Sequence, residues 1–140
     1  MQSTADIAVT IDKEWESYWR ARNENPLDDA ETLKFRVDGA ISKVEQKPKS
    51  LDEVECQYMG LMKFFFEGIK QMKNIFHTAV TSGELLGKRV ENSYMKDMLQ
   101  AIINNGNAVT AISVNDLWVE VDDEVSNMNF QLTRDRLKQI

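Results

Sequence analysis

Cysteine, histidine and clustered glycine are nearly absent from this 140-residue sequence. The single cysteine, Cys56, excludes an internal disulfide and a Cys-based zinc cluster, which suits a reducing compartment, and we expect it to be a small buried or half-buried thiol. The single histidine, His77, excludes a Ser-His-Asp triad or a His-rich metal site within one chain, and we expect it to be exposed or capping on a helix. The six glycines are scattered and form no phosphate-cradling loop.

Long apolar runs and excess positive charge are also missing. The sequence has no run of eighteen apolar residues and no basic N-terminal segment followed by an apolar one, so we expect neither a membrane span nor a signal peptide. A cytoplasmic location is therefore the expectation. The net charge of -6 would repel the phosphates of nucleic acid at long range, so we expect no nucleic-acid partner.

What the sequence does contain is enough apolar material for one packed domain. Hydrophobic residues make up 42% of the chain and aromatic residues 9%, so we interpret residues 1–140 as a single domain. The β-branched run 5–11 predicts a buried strand, and Trp15, Tyr18 and Trp19 at helical spacing predict a short helix after it.

The middle of the chain predicts a hairpin and then a long strand. Segments 31–37 and Ile41–Glu45 alternate and flank Asp38-Gly39, a dipeptide that favours a tight antiparallel turn. The run 58–66 has apolar residues on both alternating sets, as in a central strand whose two faces are covered by helices.

The second half alternates helices with strands. Apolar stripes predict helices over 69–79 and 94–103, and strand patterns follow at 108–114 and 117–121 before a charged helix over 125–140. Alternating strands and helices indicate a layered α/β domain, with a mainly parallel sheet, one antiparallel hairpin and helices on both faces.

Seven stretches of the sequence occur in the same order as in one protein family. Together they resemble the phosphocholine cytidylyltransferase-like nucleotidyltransferases, including those associated with phosphonate metabolism. The resemblance implies a Rossmann-like fold and an activity that joins a nucleoside triphosphate to a phosphorylated substrate with release of pyrophosphate. The stretches are 5–12, 15–22, 26–32, 46–48, 57–64, 94–100 and 118–122.

The resemblance covers the C-terminal part of such a domain. Complete members begin with a glycine-rich loop, a basic residue and a Pro-Lys pair, and they carry a first metal-binding aspartate at the end of a central strand. None of these features occurs here, and Met1 precedes the strand that follows that aspartate in complete members. We therefore expect a truncated domain that lacks the nucleotide-binding N-terminal half.

Asp122 is the metal-binding candidate that the resemblance implies. It matches the family's second metal aspartate in Trp-x-Glu-x-Asp, and Mg²⁺ prefers carboxylate oxygen together with substrate phosphates. The alternative is a solvated turn acid beside Asp123 and Glu124, because acidic runs usually face solvent.

Three further residues are candidates for binding the acceptor. Lys47 resembles the lysine that related enzymes direct at the acceptor phosphate, where a fixed positive charge binds and offsets developing charge. Trp118 and Tyr58 could face the ammonium group of a small phosphorylated amine, because aromatic faces attract cations. The alternatives are a plain surface lysine and two aromatic side chains buried in the core.

Two other polar groups are not assigned a role. Asp28, Asp29 and Glu31 form an acidic run that could contact metal or an amine, but such runs usually face solvent. Asp97 matches the aspartate of a family Thr-Asp pair, but Lys96 replaces the threonine here.

Two functional hypotheses follow. In the first, the chain is the acceptor-binding portion of a cytidylyltransferase and is inactive without a partner polypeptide that supplies the nucleotide-binding half. In the second, it is a non-catalytic binding or oligomerisation module derived from a truncated gene. A half-sheet exposes unpaired backbone groups at its edge, so both hypotheses predict self-association as a dimer or larger oligomer.

Overall fold

The computed structural model describes residues 4–22, 24–28, 30–45 and 47–114, and these residues form an α/β domain. Strands and helices alternate along the chain, with short 3-10 turns between some of them. The elements are β1 (Ile7–Asp12), α1 (Trp15–Arg22), β2 (Thr32–Phe35), β3 (Ile41–Glu45), β4 (Gln57–Phe64), α2 (Glu67–Ser82), β5 (Glu84–Leu85), β6 (Lys88–Arg89), α3 (Met95–Asn104) and β7 (Thr110–Val114).

Strand β1 is the middle strand of the described three-stranded sheet. It pairs antiparallel with β4 and parallel with β7, and all six of its residues are buried. The α/β prediction is thus confirmed, with a sheet of mixed direction.

The prediction that 58–66 forms the central strand was wrong for this sheet, since the strand ends at Phe64 and β1 lies beside it in the middle. The prediction failed because the apolar residues of segment 58–66 do not all face the core. Leu61 and Phe66 are exposed, and Phe66 belongs to the turn that begins α2.

The predicted hairpin is confirmed as β2 and β3. Gly39, at the turn, has a φ of 84°, which glycine adopts without strain, and the Asp38 carboxylate accepts a hydrogen bond from the backbone N–H of Ala40. Single bridges join Ala40 to Thr110 and Leu33 to Val54, so the hairpin is attached to the main sheet.

Helices α2 and α3 cover the face of β1 that carries Ile7, Val9 and Ile11. Leu99 and Ile102 of α3 are fully buried there. The prediction of two helices in this region is confirmed. The apolar stripe correctly indicated the inner face of α3 from Met98 to Ile103, because packing on a sheet needs one apolar stripe. In α2 the stripe was only partly right, since Ile69 and Phe76 are exposed. The buried members of this core are Ile7, Val9, Ile11, Leu33, Ile41, Val44, Cys56, Met98, Leu99, Ile102 and Val109.

Helix α1 packs in a second, smaller cluster. Trp15 and Trp19 lie on one face of the helix with ring centroids 6.3 Å apart in an edge arrangement, and they pack with Ala30 and Val54. This cluster holds the segment before β2 against the segment before β4.

The β5–β6 hairpin was not predicted from the sequence. Its strands have two residues each, too short for an alternating pattern, and its turn contains Leu86 and Gly87, both with positive φ. The predicted strand 117–121 and helix 125–140 lie outside the described residues. Among the residues that are described, no helix combines the length and apolar character needed to cross a bilayer.

Substituting Gly68 tests how closely α2 approaches β1. An added Cβ would lie 2.6 Å from Cγ1 of Ile7 and against the backbone carbonyl of Asp6. We expect Gly68→Ala to lower the free energy of unfolding by about 1–3 kcal/mol, measured by urea denaturation, because the core would have to shift. Lys73→Ala, at an exposed position of α2, is the control and should change stability little. An unfolding curve for Gly68→Ala that overlays that of the unsubstituted protein would contradict this packing.

Candidate functional site

Polar side chains meet at one edge of the sheet, where β1 and β7 both end. Asp12, the last residue of β1, is paired with Val114 of the parallel strand β7 and with Gln57 of the antiparallel strand β4. Ligands of open α/β sheets usually bind beyond the carboxyl ends of parallel strands. We call the group Asp12, Glu31, Gln57, Tyr58 and Lys96 the polar edge.

Asp12 is buried at this edge, with 1% of its surface exposed. Its Oδ1 accepts a hydrogen bond of 2.8 Å from the backbone N–H of Glu14. This bond turns the chain out of β1 and into α1. The sequence predicted a buried strand over 5–11 only, so the burial of Asp12 was not predicted.

Gln57 holds the backbone of Glu31 by two hydrogen bonds. Its side-chain oxygen accepts from the Glu31 N–H at 3.2 Å, and its side-chain nitrogen donates to the Glu31 carbonyl at 2.9 Å. The side-chain amide therefore makes the two backbone hydrogen bonds that a neighbouring strand would otherwise make with Glu31. Because Gln57 is itself 1% exposed, it fixes the position of Glu31 from inside the protein.

Glu31 forms an ion pair with Lys96, which lies 65 positions later in the chain. The Nζ of Lys96 is 2.6 Å from Oε1 of Glu31, and the two side chains are 20% and 26% exposed, respectively. Tyr94 lies beside the pair, with its ring centroid 5.7 Å from the same Nζ. The acidic run was therefore not simply a solvated face, since Glu31 is drawn into a partly buried contact.

Tyr58, a predicted substrate-binding residue, belongs to the polar edge. Burial raises the pKa of its phenol, and the negative charge of Glu31 raises it further. The ring is half-buried and packs against the main core. Tyr58 therefore packs against the core, as in the alternative of a buried aromatic side chain, and it also lies within electrostatic reach of Glu31.

Lys47, the predicted catalytic lysine, lies at the same end of the β2–β3 hairpin as Glu31. The pairing of Thr32 with Glu45 brings the residues before β2 beside those after β3. The Nζ of Lys47 is exposed and 3.5 Å from Oδ1 of Asp28. This solvated contact leaves the ammonium group accessible to a ligand, and Lys47 remains a prediction. Trp118 and Asp122, the other two candidates, lie outside the described residues.

Asp97 has a structural role at the start of α3. Its carboxylate receives a 2.7 Å contact from Lys88 Nζ and a 2.8 Å hydrogen bond from the backbone N–H of Tyr94. Burial alone would raise the pKa of Asp97, but these hydrogen bonds and the charges of Lys88 and Lys96 outweigh it and hold the pKa below its usual value. Asp97 therefore fixes the first turn of the helix that carries Lys96.

Cys56 is buried, as predicted. Burial is the largest cause that raises the pKa of its thiol to about 12, so the group stays protonated near neutral pH. A protonated buried thiol is a poor nucleophile. His77 is exposed on α2, also as predicted.

The described residues do not by themselves form a metal site. Within residues 4–22, 24–28, 30–45 and 47–114, no group of three or more His, Cys, Asp or Glu side chains could hold a metal ion. The magnesium prediction therefore depends on Asp122 and on substrate phosphates.

Asp97 should make stability depend on pH. Because its pKa is lowered in the folded state, the group stabilises the protein above its ordinary value of 3.8, and that contribution is lost as the pH falls through the lowered value. We expect Asp97→Asn to cost about 1–3 kcal/mol in the free energy of unfolding at pH 7. In urea denaturation below pH 3.8, the free energies of unfolding of Asp97→Asn and the unsubstituted protein should become more similar. A difference that is the same at every pH would show that the charge of Asp97 does not matter.

Comparison with known proteins gives one informative match. No family model matches the chain. Over 117 residues, the chain is 35% identical to the CTP:phosphoglutamine cytidylyltransferase of Campylobacter jejuni, and the match covers 84% of this chain and 46% of that protein. The chain thus spans about half the length of this relative. The similarity supports a relationship between this chain and the cytidylyltransferase-like nucleotidyltransferases.

Proposed function

We propose that this chain is the acceptor-binding portion of a cytidylyltransferase that acts on a small phosphorylated or phosphonylated amine. The proposal is supported by the placement of Lys47 and Glu31 at the same end of the β2–β3 hairpin and by the electrostatic reach of Glu31 to Tyr58, in a domain whose sequence is similar to a cytidylyltransferase. The relative's name indicates phosphoglutamine as its acceptor, which falls within the broader class of phosphorylated amines.

The proposed chemistry is transfer of a cytidylyl group from CTP to the acceptor. An oxygen of the acceptor phosphate forms a bond to the α-phosphorus of CTP. The bond between that phosphorus and the oxygen that bridges it to the β-phosphorus breaks, and pyrophosphate leaves. Lys47 would hold the acceptor phosphate by its positive charge, which also offsets negative charge during transfer. Tyr58 and Trp118 would contact the cationic end of the acceptor.

Magnesium is part of this proposal through Asp122. A bound Mg²⁺ would neutralise phosphate charge near the reacting phosphorus, and Asp122 would be its carboxylate ligand. The chain's own contribution in the described residues is to bind and orient the acceptor.

We propose that nucleotide binding is supplied by residues outside these 140. The scattered glycines form no phosphate-binding loop. We propose that a different polypeptide, which carries the nucleotide-binding half, completes the enzyme.

Isothermal titration with Mg²⁺ present tests this function. We expect the chain to bind phosphocholine, 2-aminoethylphosphonate or phosphoglutamine without binding CTP, and to release no pyrophosphate when CTP is added. Lys47→Ala should weaken acceptor binding about tenfold, since a charge-assisted contact to phosphate is lost.

Lys49→Ala is the matched control for the Lys47 variant. Lys49 is another exposed lysine on the same loop, and its replacement should leave acceptor affinity unchanged. Equal effects of the two substitutions would remove the special role of Lys47. Pyrophosphate release by the chain alone would show that no second part is required, and failure to bind any acceptor would refute the proposed function.

A second candidate function, a non-catalytic oligomerisation module, is favoured by exposed apolar side chains. Phe66 is 69% exposed, and Phe76 and Val80 on α2 are each 52% exposed. Large exposed apolar groups favour contact with another protein surface.

Self-association can be measured directly by size-exclusion chromatography with light scattering. We expect a dimer or larger oligomer at micromolar concentration, and Phe76→Glu should shift it towards monomer because a charge would be buried at the contact. Thr78→Glu, at another exposed position of α2, is the control and should have a smaller effect. Only monomer across the concentration range would contradict self-association.

A further inference from the structure

The ion pair between Glu31 and Lys96 differs from most other ion pairs among the described residues. Most of those join residues that are close in sequence and well exposed, such as Lys70 with Glu67 on α2. Glu31 and Lys96 instead come from distant parts of the chain and are each about a quarter exposed or less. Both charges are thus partly shielded from water, yet each still reaches the surface.

Both members of this pair are held on rigid supports. The backbone of Glu31 is fixed on two sides by the buried amide of Gln57. Lys96 lies in the first turn of α3, which Asp97 ties to Lys88 and to the backbone of Tyr94. Because the supports are fixed, little conformational entropy is lost when a ligand engages the two charges.

Aromatic side chains lie near both charges. Tyr94 is 70% exposed, and its ring is within 5.7 Å of Lys96 Nζ. Tyr58 is half-buried, and it lies close enough to Glu31 for that negative charge to raise the pKa of its phenol. The pair therefore has an aromatic group beside each of its charges, and the Asp97 carboxylate, which is paired with Lys88, also lies within electrostatic reach of Lys96.

This arrangement is complementary to a group that carries both charges on neighbouring atoms. The head of an α-amino acid has an ammonium and a carboxylate on the same carbon. If such a head enters between Glu31 and Lys96, one ion pair is exchanged for two, and no charge is left without a partner. A phosphorylated amine without a carboxylate would instead break the pair and leave Lys96 without its ion-pair partner.

We propose that Glu31 and Lys96 recognise the head group of an amino acid, with Glu31 binding the ammonium and Lys96 the carboxylate. The inference rests on the proposed function and narrows it, because it names a phosphorylated amino acid as the acceptor. Lys47 lies at the same end of the β2–β3 hairpin as Glu31 and would bind the phosphate at the other end of the ligand. Lys96 is then a specificity-determining residue.

Two simple ligands isolate the contribution of the ligand's carboxylate to binding affinity. O-phosphoserine and phosphoethanolamine differ only in that group. In titrations of the full chain with Mg²⁺, we expect O-phosphoserine to bind about tenfold more tightly, the value of one charge-assisted contact. Lys96→Met should remove this preference by weakening only O-phosphoserine, whereas Glu31→Gln should weaken both ligands.

Controls separate recognition from stability. Lys70→Met and Glu67→Gln change an exposed ion pair on α2 and should alter neither affinity. The double variant Glu31→Lys/Lys96→Glu keeps an ion pair but reverses it. If the pair is only structural, this variant should retain the ligand preference of the unsubstituted protein; the inference requires the preference to be lost. Thermal unfolding of each variant reports whether it is folded.

The results distinguish this inference from the proposed function. If the unsubstituted chain binds both ligands equally, or if the reversed pair keeps the preference for O-phosphoserine, the role of Glu31 and Lys96 is refuted while the proposed function stands. If the chain binds neither these two ligands nor any other phosphorylated amine, both proposals are refuted.

Discussion

The complete burial of β1 is the constraint on which the rest of the described structure depends. Each of its six residues is buried, and its backbone is paired on one side with β4 and on the other with β7. Helices α2 and α3 cover the face formed by its odd-numbered residues, and Gly68 allows α2 to lie against it without a side chain between them. Because β1 is fixed on its edges and on this face, its last residue, Asp12, is held in a constant position at the polar edge.

Two buried glutamine side chains attach the β2–β3 hairpin to this framework. Gln57 binds the backbone of Glu31 just before β2, and Gln100 accepts a 2.7 Å hydrogen bond from the backbone N–H of Val44 in β3. A buried backbone group without a hydrogen-bond partner is costly, so each amide both supplies a partner to the hairpin backbone and fixes the position of the hairpin. The accuracy with which Glu31 faces Lys96 follows from these two contacts and from the α3 cap at Asp97. The position of the Glu31–Lys96 pair at the polar edge is therefore set by the packing of the domain.

The candidate site was only partly predictable from sequence. Lys47 was identified through the family resemblance and Tyr58 as an aromatic side chain that could face a cation, and the structure brings their segments to the same region as Glu31. Lys96 was noted only as a replacement for threonine, because its partner is 65 residues away and no local pattern connects them. Gln57 gave no signal at all, since a glutamine in a strand is equally compatible with exposure to solvent. Such long-range polar contacts depend on which segments the fold brings together.

The sequence by itself determined the α/β class, the two amphipathic helices, the β2–β3 hairpin with its turn at Gly39, and the buried state of Cys56. These features depend on the spacing of apolar residues and on backbone preferences, which act over a few neighbouring positions. Only the tertiary structure decided that β1 rather than β4 is the middle strand of the described sheet, and that a glutamate and a lysine from distant segments form a partly buried pair. Strand order and side-chain pairing are decided by the free energy of packing the whole domain, to which residues far apart in sequence contribute together.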